Sequence, residues 1–142
     1  MKRRGVLLDA GPMVAIVSRD DAQHERCVAA LADLQPPLWT SWPVLTESLW
    51  LVRRDPAAVQ GLFRGFAEGV WSLSRLGDEA LPWLEGFLNR YRRLGAQLAD
   101  ASLVYLAERE NIDTVFTLDY RDFSVYRYKK NKSLKLIPGL GQ

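Results

Sequence analysis

The stretch VLLDAGPMVAIV, residues 6–17, decides the fold of this chain. Val6, Leu7 and Leu8 show no polar alternation, as in a central strand of a parallel sheet covered on both faces. Asp9 follows at the strand's carboxyl end. Gly11 and Pro12 interrupt the strand, and Pro12 at a first helical position opens a short apolar helix over residues 13–17. Ligands of open α/β sheets bind at the carboxyl ends of the strands, so Asp9 stands where chemistry is expected. An Asp before a helix is also an ordinary cap, and on its own Asp9 decides nothing.

Outward from this stretch the strand and helix signals alternate. Residues 22–34 read as an amphipathic helix with Cys27, Val28, Leu31 and Leu34 inward, and His24 at its start as a surface residue. Pro36 and Pro37 end it. A strand at 38–41 leads to a helix opened by Pro43, which carries Glu47. A further helix covers 57–67, and a third strand 70–73. Asp78 caps a helix running to Tyr91, and 98–110 is apolar almost all round, which marks a buried helix with Asp100 at its beginning. Residues 114–118, rich in β-branched and aromatic side chains, form a fourth strand ending at Asp119. A last strand spans 134–137. The alternation predicts an α/β fold in one domain, residues 1–142, with a parallel sheet of four to five strands flanked by helices on both faces.

Composition agrees with a globular domain: 48% of the 142 residues are hydrophobic and 25% charged, outside the disordered and fibrous classes. A net charge of +2 permits nucleic-acid binding without demanding it. With one cysteine and one histidine, a disulfide framework, a Cys-based metal site and a His-based zinc site have little to build on. Lys2, Arg3 and Arg4 resemble the start of a signal peptide, but Asp9, Gly11 and Pro12 break the apolar run behind them. No run is long enough to span a membrane, and a cytoplasmic protein with no membrane partner is the expectation.

Asp9, Glu47, Asp100 and Asp119 stand where a doubly wound sheet can gather them. Asp122 points to the same side as Asp119 if residues 120–123 form a helical turn. Clustered carboxylates repel and are costly to desolvate, and they coexist mainly around a cation. Hard oxygen donors select Mg²⁺ or Mn²⁺ over zinc. Such a site suits phosphodiester hydrolysis without a histidine.

Four segments in this order, LLDAGPMVA (7–15), TESL (46–49), LADASL (98–103) and TLDYRDF (117–123), resemble the motifs of PIN-domain ribonucleases, a family that includes the VapC toxins of bacterial toxin/antitoxin pairs. The resemblance runs from Val6 to about Pro138. It implies a divalent-metal-dependent endoribonuclease hydrolysing RNA, the toxin of a type II pair, with a small antitoxin partner and a homodimeric state. Position by position, it makes Asp9, Glu47, Asp100 and Asp119 the catalytic set, with Asp9, Asp100 and Asp119 as metal ligands and Glu47 positioning the attacking water. Asp122 is auxiliary, as is Thr117, whose hydroxyl would hold a water or a phosphate oxygen. Ala10 departs from the family, many of whose members carry Ser, Thr or Asn after the first Asp.

RNA binding also needs positive charge. Arg121, Arg127, Lys129 and Lys130 belong to the densest basic segment, with Tyr126 and Tyr128 between them as stacking candidates. A solvated loop before an edge strand explains the same lysines equally well. Trp39, Trp42 and Trp50 bracket Glu47 and read as core residues, or as part of a dimer or antitoxin groove. An aspartyl phosphotransferase would want a second acid where Gly11 stands. The serious rival is a PIN-like module that binds RNA or protein without cutting, and such a module has no physical need to keep its acids together.

Overall fold

A computed structural model describes residues 5–140; the basic residues Lys2, Arg3 and Arg4 lie outside them. Strand β1 (Val6–Leu8) is wholly buried and leads into helix α1 (Ala10–Val17). Helix α2 (His24–Ala32), strand β2 (Leu38–Thr40), helices α3 (Trp42–Val52) and α4 (Pro56–Ala67) and strand β3 (Trp71–Leu73) follow. Helices α5 (Leu81–Arg90) and α6 (Leu98–Glu110), strand β4 (Thr114–Phe116) and the single-turn helix α7 (Tyr120–Phe123) come next. Strands β5 (Arg127–Tyr128), β6 (Lys132–Ser133) and β7 (Lys135–Ile137) close the order.

Five strands form one parallel sheet in the order β3-β2-β1-β4-β7. Leu7 sits opposite Trp39 on one side and Val115 on the other, and Val115 pairs with Leu136. Because strand side chains alternate, β1 feeds two cores. Leu7 and Val115 pack with Leu84, Phe87, Leu103 and Leu106 beneath α5 and α6. Val6, Leu8 and Phe116 pack with Met13, Cys27, Leu62 and Trp71 beneath α1, α2 and α4. Helices therefore cover both faces, and the strand order reverses beside β1, where β2 and β4 flank it.

Element boundaries differ from expectation in ways that bear on the site. Helix α1 begins at Ala10 with Asp9 in the N-cap position, and Pro12 lies inside its first turn, where the missing N–H costs nothing. Ser41 caps α3 rather than ending a strand, and its hydroxyl accepts from Val44 N. Asp78 opens a short 3₁₀ turn, Asp78–Ala80, instead of capping a long helix. Gln97 holds the N-cap position of α6, which places Asp100 in the first turn. Val28 is exposed instead of inward. The antiparallel pair β5-β6 was not expected, since neither strand exceeds two residues.

Gly65 shows how tightly the second core is packed. A Cβ there would lie 2.1 Å from Trp71 Cε2. The Trp71 ring is buried, donates from Nε1 to Leu62 O at 3.0 Å and meets Phe66 edge-on. Ala is favoured over Gly in a helix by about 1 kcal/mol, but overpacking a rigid buried ring costs more. Gly65→Ala is expected to destabilise the protein by about 3 kcal/mol, read as a lower urea midpoint.

Candidate active site

The carboxyl ends of β1 and β4 deliver two of the acids. Asp9 leaves β1 with only 7% of its surface exposed, and its backbone N–H donates to Phe116 O at 2.9 Å. Strand β4 ends at Phe116, and Thr117, fully buried, turns back toward Asp9. The Thr117 hydroxyl donates to Asp9 Oδ2 at 2.8 Å and accepts from the Asp119 N–H at 3.0 Å. One hydroxyl thus ties the first acid to the backbone of the fourth. Its place is between the acids, rather than on a water or a phosphate oxygen.

Asp119 caps α7, its Oδ1 accepting from Asp122 N at 3.1 Å. That turn puts Asp122 beside it. Asp100 comes from α6, and the three carboxylates of Asp100, Asp119 and Asp122 offer oxygens all within 4.8 Å of one another. This trio differs from the expected set of Asp9, Asp100 and Asp119, because the Asp9 side chain is turned toward Thr117. Asp9 nevertheless faces the cluster, since the Glu47 and Asp119 charges raise its pKa and its own charge raises that of Asp100. Glu47 on α3 completes the set from the side and feels Asp100 and Asp119.

Burial dominates the electrostatics. Desolvation pushes Asp9 up to about 6, against the hydrogen bonds from Thr117 and Ala10. It pushes Asp100 up to about 7, against the hydrogen bond from Tyr126. Glu47 and Asp122 are also raised, first by desolvation and then by neighbouring carboxylates. Carboxylates held this close and this dry resist ionising together. The donor set, all hard oxygens with no sulfur or imidazole, suits a divalent cation of the Mg²⁺ or Mn²⁺ type.

Two contributors were not foreseen. Tyr126, fully buried among Phe87, Tyr91 and Phe123, donates its hydroxyl to Asp100 Oδ2 at 2.7 Å. Ser41 and Ser102 share a buried hydrogen bond of 2.7 Å, and the Ser102 hydroxyl donates to Ala99 O, which ties the start of α3 to that of α6. A Ser one residue before Trp42-Pro43 is a cap signal that marks the first. Nothing in the spacing marks Tyr126, which lies 26 residues from its partner. Tyr126→Phe keeps the packed ring and removes the donor that lowers the Asp100 pKa. The variant is expected to fold, to lose about tenfold in any metal-dependent activity at neutral pH, and to move the ascending limb of its pH–rate profile toward alkaline pH.

The basic residues separate. Arg121 is exposed on α7 beside Asp122, whose pKa its charge lowers. Arg127 spends Nη1 on the carbonyls of Ser124, Val125 and Tyr126. The Lys129 ammonium donates to Asn111 Oδ1, and its N–H to Glu108 Oε1 at 2.7 Å, both at the far end of α6 from Asp100. Tyr126 and Tyr128 are core residues, so neither offers a face for base stacking. Conversely, Trp42 and Trp50 are 61% and 63% exposed, and only Trp39 packs partly against the core.

An acidic cluster at the sheet's switch point, assembled from β1, α3, α6 and the β4–α7 turn, defines a class. The PIN domain model matches residues 6–129, and the chain belongs to the PIN domain family. Ribonuclease VapC26 of Mycobacterium tuberculosis is 28% identical over 138 residues, which cover 94% of this chain and all of that protein. The crystal structure of VapC20 of Mycobacterium tuberculosis, described as a sarcin-ricin loop cleaving toxin, is similar with a TM-score of 0.70 and 18% identity over 82% of this chain and 91% of that one. VapBC2 from Rickettsia felis, bound to a DNA fragment from its promoter, is similar with a TM-score of 0.58 and 14% identity over 92% of this chain and 96% of that one. At those identities the two structures bear on the fold alone.

Proposed function

We propose that this protein is a divalent-metal-dependent endoribonuclease acting in the cytoplasm as the toxin of a type II toxin/antitoxin pair. The observation that carries the reading is the convergence of Asp9, Glu47, Asp100, Asp119 and Asp122 from four separate parts of the fold. The name of the VapC26 relative, a ribonuclease, supports the reaction class.

Asp100, Asp119 and Asp122 would hold Mg²⁺ or Mn²⁺, with Asp9 contributing from the end of β1. When bound, the cation supplies charge neutralisation at the phosphodiester and at the leaving oxygen, and acidifies water. Glu47, half-buried at the side of the cluster, orients the attacking water and takes its proton, for which a pKa raised by burial is suited. Thr117 keeps Asp9 and Asp119 in register, and Tyr126 holds the Asp100 carboxylate. Arg121, exposed beside Asp122, would contact a phosphate of bound RNA.

A second chain completes the reading. Trp42, Pro43, Trp50 and Leu98 line an open apolar groove of about 510 Å³ that reaches Glu47. Tryptophans with more than half their surface exposed are costly to leave in water, and a second copy of the chain is the occupant implied by the resemblance to VapC toxins. Trp50→Glu is expected to shift a dimer to monomer in sedimentation equilibrium. The antitoxin would be a separate small protein, and its partnership is suggested by the VapBC2 complex.

The test is cleavage of a mixed RNA pool by purified protein with Mg²⁺ or Mn²⁺, and with EDTA. Cutting only with metal supports the reading. No cutting, with no metal-dependent rise in melting temperature, would leave a PIN-like module that binds without catalysis.

A further inference from the structure

Away from the acidic cluster, a second cavity of about 300 Å³ lies between α5, the end of α6 and the β5-β6 hairpin. Trp83 and Phe87, stacked at 5.4 Å, form its apolar wall, and Arg90, Arg127, Lys129 and Lys130 surround it. Its one carboxylate, Glu108, is already committed. Glu108 Oε2 accepts from Trp83 Nε1 at 3.0 Å, and Oε1 accepts from the Lys129 N–H. Among the described residues none of the four cations is ion-paired, the one ion pair being Arg109 with Glu110.

The hairpin tip is held in an unusual conformation to make this rim. Lys129 and Lys130 both have left-handed backbone, φ 43° and 74°, where Gly or Asn is the ordinary choice. A turn serving only to reverse the chain would not need two lysines there. The Glu108 carboxylate and Asn111, at the end of α6, pin Lys129 and leave Lys130 exposed at the mouth.

We propose that this cavity is a second RNA subsite, holding the phosphate of a nucleotide outside the one being cut, with the aromatic wall against its base or sugar. Four cations against one carboxylate leave the cavity net positive, which matches a polyanion, and the apolar wall matches a nucleotide better than a bare ion. Asp100 and Glu108 are eight residues apart on one helix, about 12 Å along its axis. That axial separation is about 3.5 nucleotides of a stacked strand, a length that a short bound RNA exceeds. The subsite would set where a bound strand lies across the acidic cluster, and it rests on the endoribonuclease reading above.

The experiment measures binding of a 3′-fluorescein RNA of about 12 nucleotides by anisotropy, in EDTA to prevent cleavage, across a salt series. The wild type is compared with Arg90→Ala/Lys130→Ala and with Arg19→Ala/Arg64→Ala, which removes the same charge outside the cavity. Both pairs are exposed, and circular dichroism checks that the variants fold. The cavity pair is expected to weaken binding about tenfold and to reduce the salt slope by about 1.4, two contacts at roughly 0.7 each. The control pair is expected to change neither by half as much. Equal losses in both pairs, or unchanged binding in the cavity pair, would overturn the subsite. If the wild type still cuts the RNA pool with metal, only the subsite falls. If it neither binds nor cuts, the nuclease reading falls with it.

Discussion

Asp100→Asn is expected to abolish metal-dependent RNA cleavage, by about 10³-fold, while making the metal-free protein more stable at pH 8. The loss follows from removing a charged donor at the reacting centre, where a single stabilising group is worth that scale. The gain follows from burial. Desolvation raises Asp100 to about 7, so at pH 8 the folded protein must ionise a carboxyl that water would ionise far more readily. Asn carries no charge and still offers an oxygen to the Tyr126 hydroxyl. The melting temperature without metal should therefore rise by about 5 °C. Asp9→Asn should behave likewise, because its amide oxygen can accept from Thr117. A scaffold acid would show the reverse, a variant that melts earlier. Cleavage assays paired with differential scanning calorimetry separate the two.

The same carboxyls give the metal-free protein an inverted pH dependence. Asp9 and Asp100 have folded pKa values of about 6 and about 7 against an ordinary value of 3.8. Between those values the folded chain binds more protons than the unfolded one, so stability falls as pH rises. The contribution is fully present below pH 3.8 and lost once pH passes 7. For Asp9 alone, a rise from 3.8 to about 6 corresponds to roughly 3 kcal/mol. Ordinary acid-labile ion pairs offer little opposition, since Arg109 with Glu110 is the one such pair among the described residues. The melting temperature in EDTA should fall from pH 5 to pH 8. Saturating Mn²⁺ should cancel that fall, because a cation binds the ionised carboxylates and stabilises the fold by mass action. A flat profile in EDTA, or equal metal stabilisation at pH 5 and pH 8, would contradict the burial of these acids.

On the proposed reading, the cost of the acidic cluster appears in the metal-free fold, where Thr117 and Tyr126 offset only part of the desolvation of Asp9 and Asp100.

The architecture was legible because burial on both faces writes an unbroken apolar run at Val6, Leu7 and Leu8, and turn chemistry at Gly11 and Pro12 bounds it. The carboxyl-end rule then marked Asp9 and Asp119, and the resemblance of TESL and LADASL to PIN-domain motifs added Glu47 and Asp100. The basic segment divides for a physical reason, its tyrosines lying in the core and its lysines at the rim of a cavity. Charge and aromatic content in residues 126–130 look like an RNA surface, but a two-residue strand and a half-turn of backbone decide which side chains face solvent. Tyr126 and Tyr128 turned inward, whereas Lys129 bonds to the far end of α6 and Lys130 is exposed. Of the two roles open to the tryptophans, core or groove, Trp42 and Trp50 take the second, because α3 leaves them exposed along the groove that it forms with the start of α6.

By itself, the sequence determined the α/β class and a parallel sheet of four to five strands, since periodicity and strand-end position are local properties of a chain, and the resemblance of four ordered motifs to PIN-domain ribonucleases nominated the acids. Only the tertiary structure decided how the acids meet. It grouped Asp122 rather than Asp9 with Asp100 and Asp119, placed Thr117 between Asp9 and Asp119, and brought Tyr126 to Asp100. Those are contacts of a few ångströms between residues distant in sequence or set by one turn's geometry. They depend on packing of the whole core, which no local pattern encodes.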